Sequence, residues 1–209
     1  MRRYQPIFGA LCVLAALTAP PAAAQSRFGL RAGVNFAKLT GDDINGDAIE
    51  RLTGFVGGGF LETPVSRDIV NLHLGLQYSQ KGFETEALGS EASVKLDYLE
   101  VPALLAVIVP GSGTTDFRLY VGPTFSYRVK CSGTALGFSS NCDNDDSLKK
   151  FDLGGDAGAG LAFAIGSGTL LVDGFYNFGL TTIDNSSSSD DVRNEVFSVT
   201  AGIIFPARD

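Results

Sequence analysis

The sequence predicts an all-β fold, an eight-stranded antiparallel up-and-down β-barrel, and three observations indicate this class. From residue 25 onward, apolar residues alternate with polar residues or glycine in eight runs of about ten to fourteen residues. The connections between these runs are alternately long and polar, or short and rich in Pro, Gly or Ser. Aromatic residues concentrate at both ends of the runs.

The first 24 residues have the pattern of an export signal and not of a folded element. Arg2 and Arg3 give a positive start, Ile7–Leu17 is an apolar run, and three alanines end at Ala24. This pattern predicts a secretory signal peptide that is cleaved after Ala24, so that residues 25–209 form one barrel domain. The apolar run is too short to span a bilayer as a helix.

Each of the eight runs predicts one strand, because side chains alternate between the two faces of a strand. The third run is the clearest, with Leu72 and Leu74 on one face and Asn71 and His73 on the other. The predicted strands are Phe28–Leu39, Glu50–Leu61, Val70–Ser79, Ser93–Val109, Phe117–Arg128, Phe151–Phe163, Leu170–Phe178 and Phe197–Phe205.

Two runs are less regular than the others. In the second run Leu52, Val56 and Phe60 share a face, but Phe55 breaks the alternation. The fourth run changes phase, and a β-bulge near Tyr98 would reconcile its two halves by inserting one residue.

The lengths of the connections predict the orientation of the barrel. The long connections are Thr40–Ile49, Gly82–Ala92, Cys131–Leu148 and Thr182–Val192, and the short ones are Thr63–Arg67, Pro110–Thr115 and Ile165–Gly168. Membrane barrels place short turns on the periplasmic side and long loops outside. We therefore expect periplasmic termini and extracellular long loops.

Apolar and polar residues also alternate along the strands of a soluble sandwich or a lipocalin-type barrel. A membrane barrel is distinguished from these folds by which side chains lie on each face. An eight-stranded barrel has an interior just wide enough for side chains, so glycine and short polar groups fit inside better than rings. The aromatic residues are therefore predicted to face lipid in two girdles near the edges of the apolar band. The predicted girdle residues are Phe28, Phe36, Phe60, Tyr78, Phe117, Tyr127, Phe151, Phe163, Phe178, Phe197 and Phe205.

Charged residues on the opposite face are predicted to point into the lumen. Lone buried charges cost several kcal/mol, so these residues are expected to pair and to plug the narrow interior. The alternative is a selectivity ring or a proton path. The residues of this predicted network are Arg31, Glu100, Arg118, Arg128, Asp152, Asp156 and Asp173.

Two cysteines, Cys131 and Cys142, remain after the expected cleavage. Both lie in a polar segment of an exported chain, where a disulfide is the default. Two free thiols are the alternative, and a zinc site is disfavoured because no histidine or further cysteine lies nearby.

Several classes of function are disfavoured by the composition. The net charge of −7 disfavours nucleic-acid binding. The single histidine, His73, sits mid-strand, so no catalytic site, metal site or cofactor is expected, although Ser126 and Glu100 are its conceivable partners. The acidic loop residues match no complete calcium motif and are taken as solvated; they are Asp42, Asp43, Asp47, Glu50, Asp143, Asp145 and Asp146.

Three segments resemble a known family. FGLRAGVNFAKL at Phe28–Leu39, LGLQYSQKGF at Leu74–Phe83 and above all YLEVPALLAV at Tyr98–Val107 are similar to the PorT-like outer-membrane β-barrel domain family, small barrels of OmpA/OmpX-like architecture. The resemblance covers residues 28–205 and implies an eight-stranded barrel in the outer membrane.

The resulting functional hypothesis is an integral outer-membrane protein with a structural, adhesive or surface-interaction role through its long loops. Its expected partners are outer-membrane lipid and an extracellular or surface protein, and a monomer is expected. A small transport channel is the alternative, and a membrane-embedded lipid-modifying enzyme is disfavoured further because it would need a histidine at the rim of the barrel.

Overall fold

The computed structural model describes residues 26–41, 49–66, 69–87, 90–135, 138–143, 148–183 and 192–206, so the predicted signal peptide lies outside the described residues. In these ranges no helix is long and apolar enough to cross a membrane. The strands are β1 (Arg27–Thr40), β2 (Ile49–Glu50), β3 (Leu52–Ser66), β4 (Val70–Ala87), β5 (Ser90–Pro110), β6 (Thr115–Ala135), β7 (Phe138–Asn141), β8 (Phe151–Ile165), β9 (Gly168–Gly179) and β10 (Arg193–Ile204).

Eight of these strands close into an antiparallel barrel, as the sequence predicts. Each pairs with its neighbours in chain order, and β1 pairs with β10 from Gly29↔Ile204 to Thr40↔Arg193. Among the strands of the described ranges, β2 and β7 stand outside this ring, as short additions to β4 and β6. Because lipid offers no hydrogen-bonding partner to the backbone, a sheet that spans a membrane has to close in this way.

The two ends of the barrel differ in their connections. The short connections after β3, β5 and β8 and both ends of the barrel domain lie together at one end, which we call the turn end. At the opposite end, the loop end, β4 and β5 continue pairing as far as Ala87↔Ser90. The predicted loop Gly82–Ala92 is therefore mostly strand, because antiparallel pairing satisfies the backbone groups locally.

The second predicted strand has the opposite phase to the one expected. Leu52, Val56 and Phe60 are buried in the lumen, whereas Phe55 and Leu61 are 48% and 50% exposed on the outside. The assignment of Phe60 to an aromatic girdle is therefore wrong. Its ring takes the space beside Gly29 on β1, where an added Cβ would overlap it.

The irregularity predicted near Tyr98 is present, but the extra residue lies on the neighbouring strand. Asp97 pairs with Lys130 and Tyr98 pairs with Arg128, which leaves Val129 of β6 without an opposite residue. Beyond this bulge Leu96 and Cys131 face inward. The apparent change of phase in the sequence arises because the interior becomes apolar at the loop end.

The outside of the barrel is apolar. All of the other predicted girdle residues are exposed or half-exposed there. Phe28 stacks on Phe205 at the turn end, with ring centres 5.9 Å apart. Near the loop end Tyr127 meets Phe151 edge to face at 4.9 Å.

A disulfide joins Cys131 of β6 to Cys142, directly after β7, with a Cα–Cα distance of 5.0 Å. The amide of Cys131 donates to the Asp143 carboxylate, and this hydrogen bond holds the pKa of that carboxyl below its usual range. The short strand β7 is thereby held against β6 beyond the end of the barrel.

Candidate functional site: the charged interior

The interior of the barrel contains a set of buried charged side chains. The seven residues of the predicted lumen network are all at most 8% exposed, and Glu62 and Lys81 join them. Glu62 is absent from the predicted network because the sequence analysis exchanged the inward and outward faces of its strand. Lys81 follows His73 at even spacing on β4, two residues beyond the predicted end of that strand at Ser79.

Glu62 is the centre of a cluster near the turn end. It is fully buried, and its Oε2 accepts a hydrogen bond from Nη2 of Arg118. Its Oε1 accepts from Nη2 of Arg27 and from Nδ2 of Asn71, both at 2.9 Å. One carboxylate thus meets two guanidinium groups and an amide, and charge-assisted bonds of this kind are the strong ones.

Arg31 lies on the other side of this cluster, against an aromatic environment. Its Nη2 donates to Nε2 of His73, and its guanidinium lies 5.0 Å from the ring centre of Phe60 and 4.9 Å from that of Phe175. Arginine has only donors, so Nε2 of His73 accepts and the ring proton sits on Nδ1. That nitrogen faces Glu62 Oε2 at 3.7 Å.

Asp173 is held by a phenol and not by an arginine. The hydroxyl of Tyr120 donates to Asp173 Oδ1 at 3.0 Å. The Tyr120 ring packs against Phe175, with centres 5.0 Å apart, and the guanidinium of Arg118 lies 5.4 Å from the Tyr120 ring centre.

Lys81 and Glu100 form an ion pair in the middle of the lumen. Lys81 Nζ lies 2.7 Å from Glu100 Oε1, and both side chains are almost completely buried. Glu100 also accepts from Gln77 Nε2 at 2.9 Å and from the Ser126 hydroxyl at 3.2 Å. The carboxylate is therefore surrounded by three donors.

Asp156 continues this network through neutral partners. Lys81 Nζ donates to Asn177 Oδ1 at 3.3 Å, and Nδ2 of the same amide donates to Asp156. The Thr124 hydroxyl donates to the other oxygen of Asp156. Asn177 thus links a buried ammonium to a buried carboxylate.

Of the two remaining predicted network residues, Arg128 lies nearer the loop end and Asp152 lies level with Glu100, since both Asp152 and Glu100 are opposite Ser126. Arg128 Nη2 donates to the carbonyl oxygen of Leu148 at 3.0 Å. Asp152 accepts from the Thr181 hydroxyl at 2.9 Å and from Asn194 Nδ2 at 2.8 Å.

The pairings expected from the sequence are therefore corrected. Arg118 and Arg128 were expected to pair with Glu100, Asp152, Asp156 or Asp173, but Arg118 pairs with Glu62 and Arg128 binds a backbone carbonyl. Height along the barrel explains the difference for Arg118. Glu100 is opposite Ser126, eight residues from Arg118 along β6, which places it about 20 Å higher.

Three apolar layers, each a cluster of buried side chains, lie among the charged groups of the lumen. At the turn end Phe60, Ala162, Leu171 and Ile204 pack together. A middle layer consists of Leu104, Ala106, Tyr120 and Phe175, and a third, near the loop end, consists of Leu96, Tyr98, Cys131 and Ile183. Beside Lys81 and Glu100 lies a cavity of about 30 Å³, enough for about two water molecules.

In the described ranges the interior does not bring His73, Ser126 and Glu100 together as a triad. Ser126 donates to Glu100, but His73 contacts Arg31 and Glu62, so the conceivable triad is not assembled. No group of three or more His, Cys, Asp or Glu residues is placed to hold a metal ion in that part of the chain. Among the acidic loop residues, Asp42, Asp43, Asp47, Asp145 and Asp146 lie outside the described residues.

A closed barrel with an apolar outside and a polar interior defines the class of outer-membrane β-barrels. The chain belongs to the family described as outer membrane protein beta-barrel domain, which it matches over residues 21–185. The family places the protein in the outer membrane. No curated protein matches the chain at a significant level.

The solved structures that are similar to this chain include the following two. The crystal structure of Neisserial surface protein A has 15% identity, a TM-score of 0.51, and coverage of 85% of this chain and 96% of its own. That of the outer membrane protein OprG from Pseudomonas aeruginosa has 11% identity, a TM-score of 0.50, and coverage of 88% and 97%. At these identities the likeness shows the fold.

Replacing Arg118 by alanine is expected to destabilise the barrel by about 3–5 kcal/mol, because Glu62 is left buried with less compensation. Unfolding by urea in detergent micelles measures this free energy. The matched control is Lys38→Ala, whose ammonium pairs with Glu195 at 3.2 Å on the outside and should contribute only about 0–1 kcal/mol. Equal losses for the two variants would show that the Arg118–Glu62 pair is unimportant.

Proposed function

We propose that the protein is a non-conducting outer-membrane barrel that acts through a surface interaction at its loop end. The observation that carries this proposal is the length of two strands. β5 and β6 have 21 residues each, whereas about 9–11 residues suffice to cross the bilayer. About ten residues of each strand are therefore available to project beyond the membrane.

The projecting parts of the strands form a continuous sheet. β2 pairs with β4, β4 with β5, β5 with β6 and β6 with β7, so the sheet is five strands wide beyond the barrel. The disulfide between Cys131 and Cys142 holds its last strand. A sheet stiffened in this way presents a defined surface at a low entropic cost of binding.

One edge of this sheet suits an extended partner. In the described part of the chain, β7 pairs only with β6, and all four of its residues are exposed. Phe138 at its start is 81% exposed. A free strand edge of this kind can add a strand from another protein, with an apolar anchor beside it. We propose a surface protein of the same or another cell as this partner.

The orientation and the finer family are parts of the same proposal. The loop end faces outward and the turn end, with both termini, faces the periplasm, as in porin-like barrels. The YLEVP segment at Tyr98–Pro102 supports a place among the PorT-like barrels, and we propose a monomer whose export depends on the N-terminal signal peptide.

The filled lumen favours a structural role for the interior of the barrel and disfavours a role in transport. Buried ion pairs such as Lys81–Glu100 alternate with apolar layers, and the polar cavity beside that pair is small. We propose that the paired charges plug the barrel and that the protein has no catalytic role.

Labelling on intact cells tests the orientation. In a Cys131→Ala/Cys142→Ala background, Phe138→Cys should react with a membrane-impermeant maleimide, because β7 is proposed to face the outside. The control Ser112→Cys lies in the exposed turn between β5 and β6 and should react only after the outer membrane is opened. Reaction of Ser112→Cys alone on intact cells would reverse the proposed orientation.

Planar-bilayer recording tests the closed lumen. The purified wild-type barrel should show no steady conductance, because ions would have to pass three apolar layers and break buried ion pairs. A reproducible open level of ionic size would contradict the plug and favour the transport alternative.

A further inference from the structure

The lysines of this acidic chain are concentrated at one level of the barrel. The sequence has six lysines, and all except the buried Lys81 lie at or beyond the loop-end aromatic residues. These five are Lys38, Lys95, Lys130, Lys149 and Lys150. This distribution is unexpected for a chain of net charge −7, and it coincides with the edge of the apolar band.

Three of these lysines are exposed and lie on β5, on β6 and directly before β8; we call Lys95, Lys130 and Lys150 the lysine patch. Lys130 of β6 pairs with Asp97 of β5, two residues from Lys95, so the two lysines are diagonal neighbours on the outer face. Such neighbours have Cβ atoms about 7–8 Å apart. The carbonyl of Lys150 accepts from the Arg128 amide at 2.7 Å, which places Lys150 on the other side of β6.

Two acidic residues lie beside the patch in the described residues: Asp97, opposite Lys130, and Asp143, whose carboxylate accepts from the amide of Cys131. Asp97 is 7% exposed and accepts a hydrogen bond from Gln80 Nε2 at 3.3 Å. Among the described residues, no carboxylate lies within 4 Å of the three ammonium groups. In the described residues the patch therefore carries up to three positive charges beside two carboxylates, those of Asp97 and Asp143.

The height of Lys130 in the patch matches the lipid headgroups. The ring pair of Tyr127 and Phe151 lies at the upper edge of the apolar surface. Lys130 is three residues beyond Tyr127, which is about 8 Å along the membrane normal. The polar layer on each side of a bilayer is about 5–8 Å thick, and lysine side chains reach toward it from below or above.

We propose that the lysine patch binds the phosphate groups of a phosphorylated lipid in the outer leaflet, with the acyl chains lying against the apolar strands below. Clusters of basic residues beside an apolar surface recognise anionic lipids in this way. The inference rests on the proposed orientation, which puts the loop end in the outer leaflet. It adds a lipid ligand to a protein whose proposed function is interaction with another protein.

The opposite side of the barrel supplies the matched control. There Lys38 Nζ lies 3.2 Å from Glu195 Oε1 and Arg51 Nη2 lies 3.7 Å from the same atom. Lys38 is at a similar height, two residues beyond Phe36, but it already has an acidic partner. Its removal should therefore affect lipid binding far less.

The test is a titration of the purified barrel in detergent with bis-phosphorylated lipid A, read out by native mass spectrometry as bound lipid. The variant is Lys95→Gln/Lys130→Gln/Lys150→Gln. Loss of one lysine near an anionic headgroup should weaken binding about fivefold, so the triple variant should bind about 100-fold more weakly. Lys38→Gln should stay within about twofold of wild type.

Two further binding measurements identify the ligand. Dephosphorylated lipid A should bind the wild type about as weakly as bis-phosphorylated lipid A binds the triple variant. Inorganic phosphate at the same concentration should displace no lipid, because the acyl chains contribute to binding. A heat-dependent gel shift confirms folding, and the single variant Lys130→Gln, about fivefold weaker, replaces the triple variant if that one fails to fold.

Three results would overturn the lysine patch as a lipid site: unchanged binding by the folded variant, equal binding of the dephosphorylated lipid, or an equal loss in Lys38→Gln. Displacement by inorganic phosphate alone would overturn it in favour of a free-anion site. The titration uses the isolated barrel and is independent of orientation. Failure of the maleimide experiment with success here would therefore refute the orientation and the assignment to the outer leaflet, and it would leave the lysine patch as a site for a phosphorylated lipid.

Discussion

The structure depends on one constraint, which is that backbone amide and carbonyl groups have no partner in lipid. The pairing of β1 with β10 removes the last free edge of the eight-stranded ring and so satisfies this constraint. Closure also fixes the face on which each side chain lies. Side chains alternate with a period of two along a strand, so a slip of one residue in the pairing would exchange the lumen and lipid faces. Gly29 and Phe60 illustrate the result, since the glycine on one strand leaves room for the ring on the next.

Closure of only eight strands makes the lumen narrow, and a narrow lumen does not tolerate unpaired charge. The polar faces of the strands therefore form short networks at defined heights. Glu62 gathers Arg27, Arg118 and Asn71 near the turn end, and Lys81 joins Glu100 in the middle. Apolar layers lie between these networks, so the interior has the composition of a packed core with embedded ion pairs.

Much of the fold could be predicted because alternation is a strong local signal. Each of the eight strands was located, and the irregularity near Tyr98 was found from the change of phase. The second strand was misread because glycines occupy two inward and two outward positions between Thr53 and Phe60, which left Phe55 and Phe60 with conflicting phases. Only the cross-strand register, Phe28↔Leu61, resolves that conflict.

The interior could be predicted as a set of residues but not as a set of pairs. Alternation places Arg118 and Glu100 on the same face, but their separation along the barrel depends on the register of β5 and β6. Glu62 was not predicted to face the lumen because the inward face of β3 was misassigned. Lys81 was not predicted because β4 extends beyond its predicted end at Ser79. The loop end also departed from expectation, because residues expected in loops extend the sheet by local pairing.

The central claim is the sorting of side chains between lipid and lumen, and the absence of tryptophan from the sequence gives a direct test. Phe55→Trp and Phe60→Trp would each place a single fluorophore on β3, in bilayers that contain brominated lipid. The account predicts strong quenching for Phe55→Trp and little for Phe60→Trp, because the first side chain is 48% exposed and the second is 2% exposed. Equal quenching, or quenching of Phe60→Trp alone, would contradict the account.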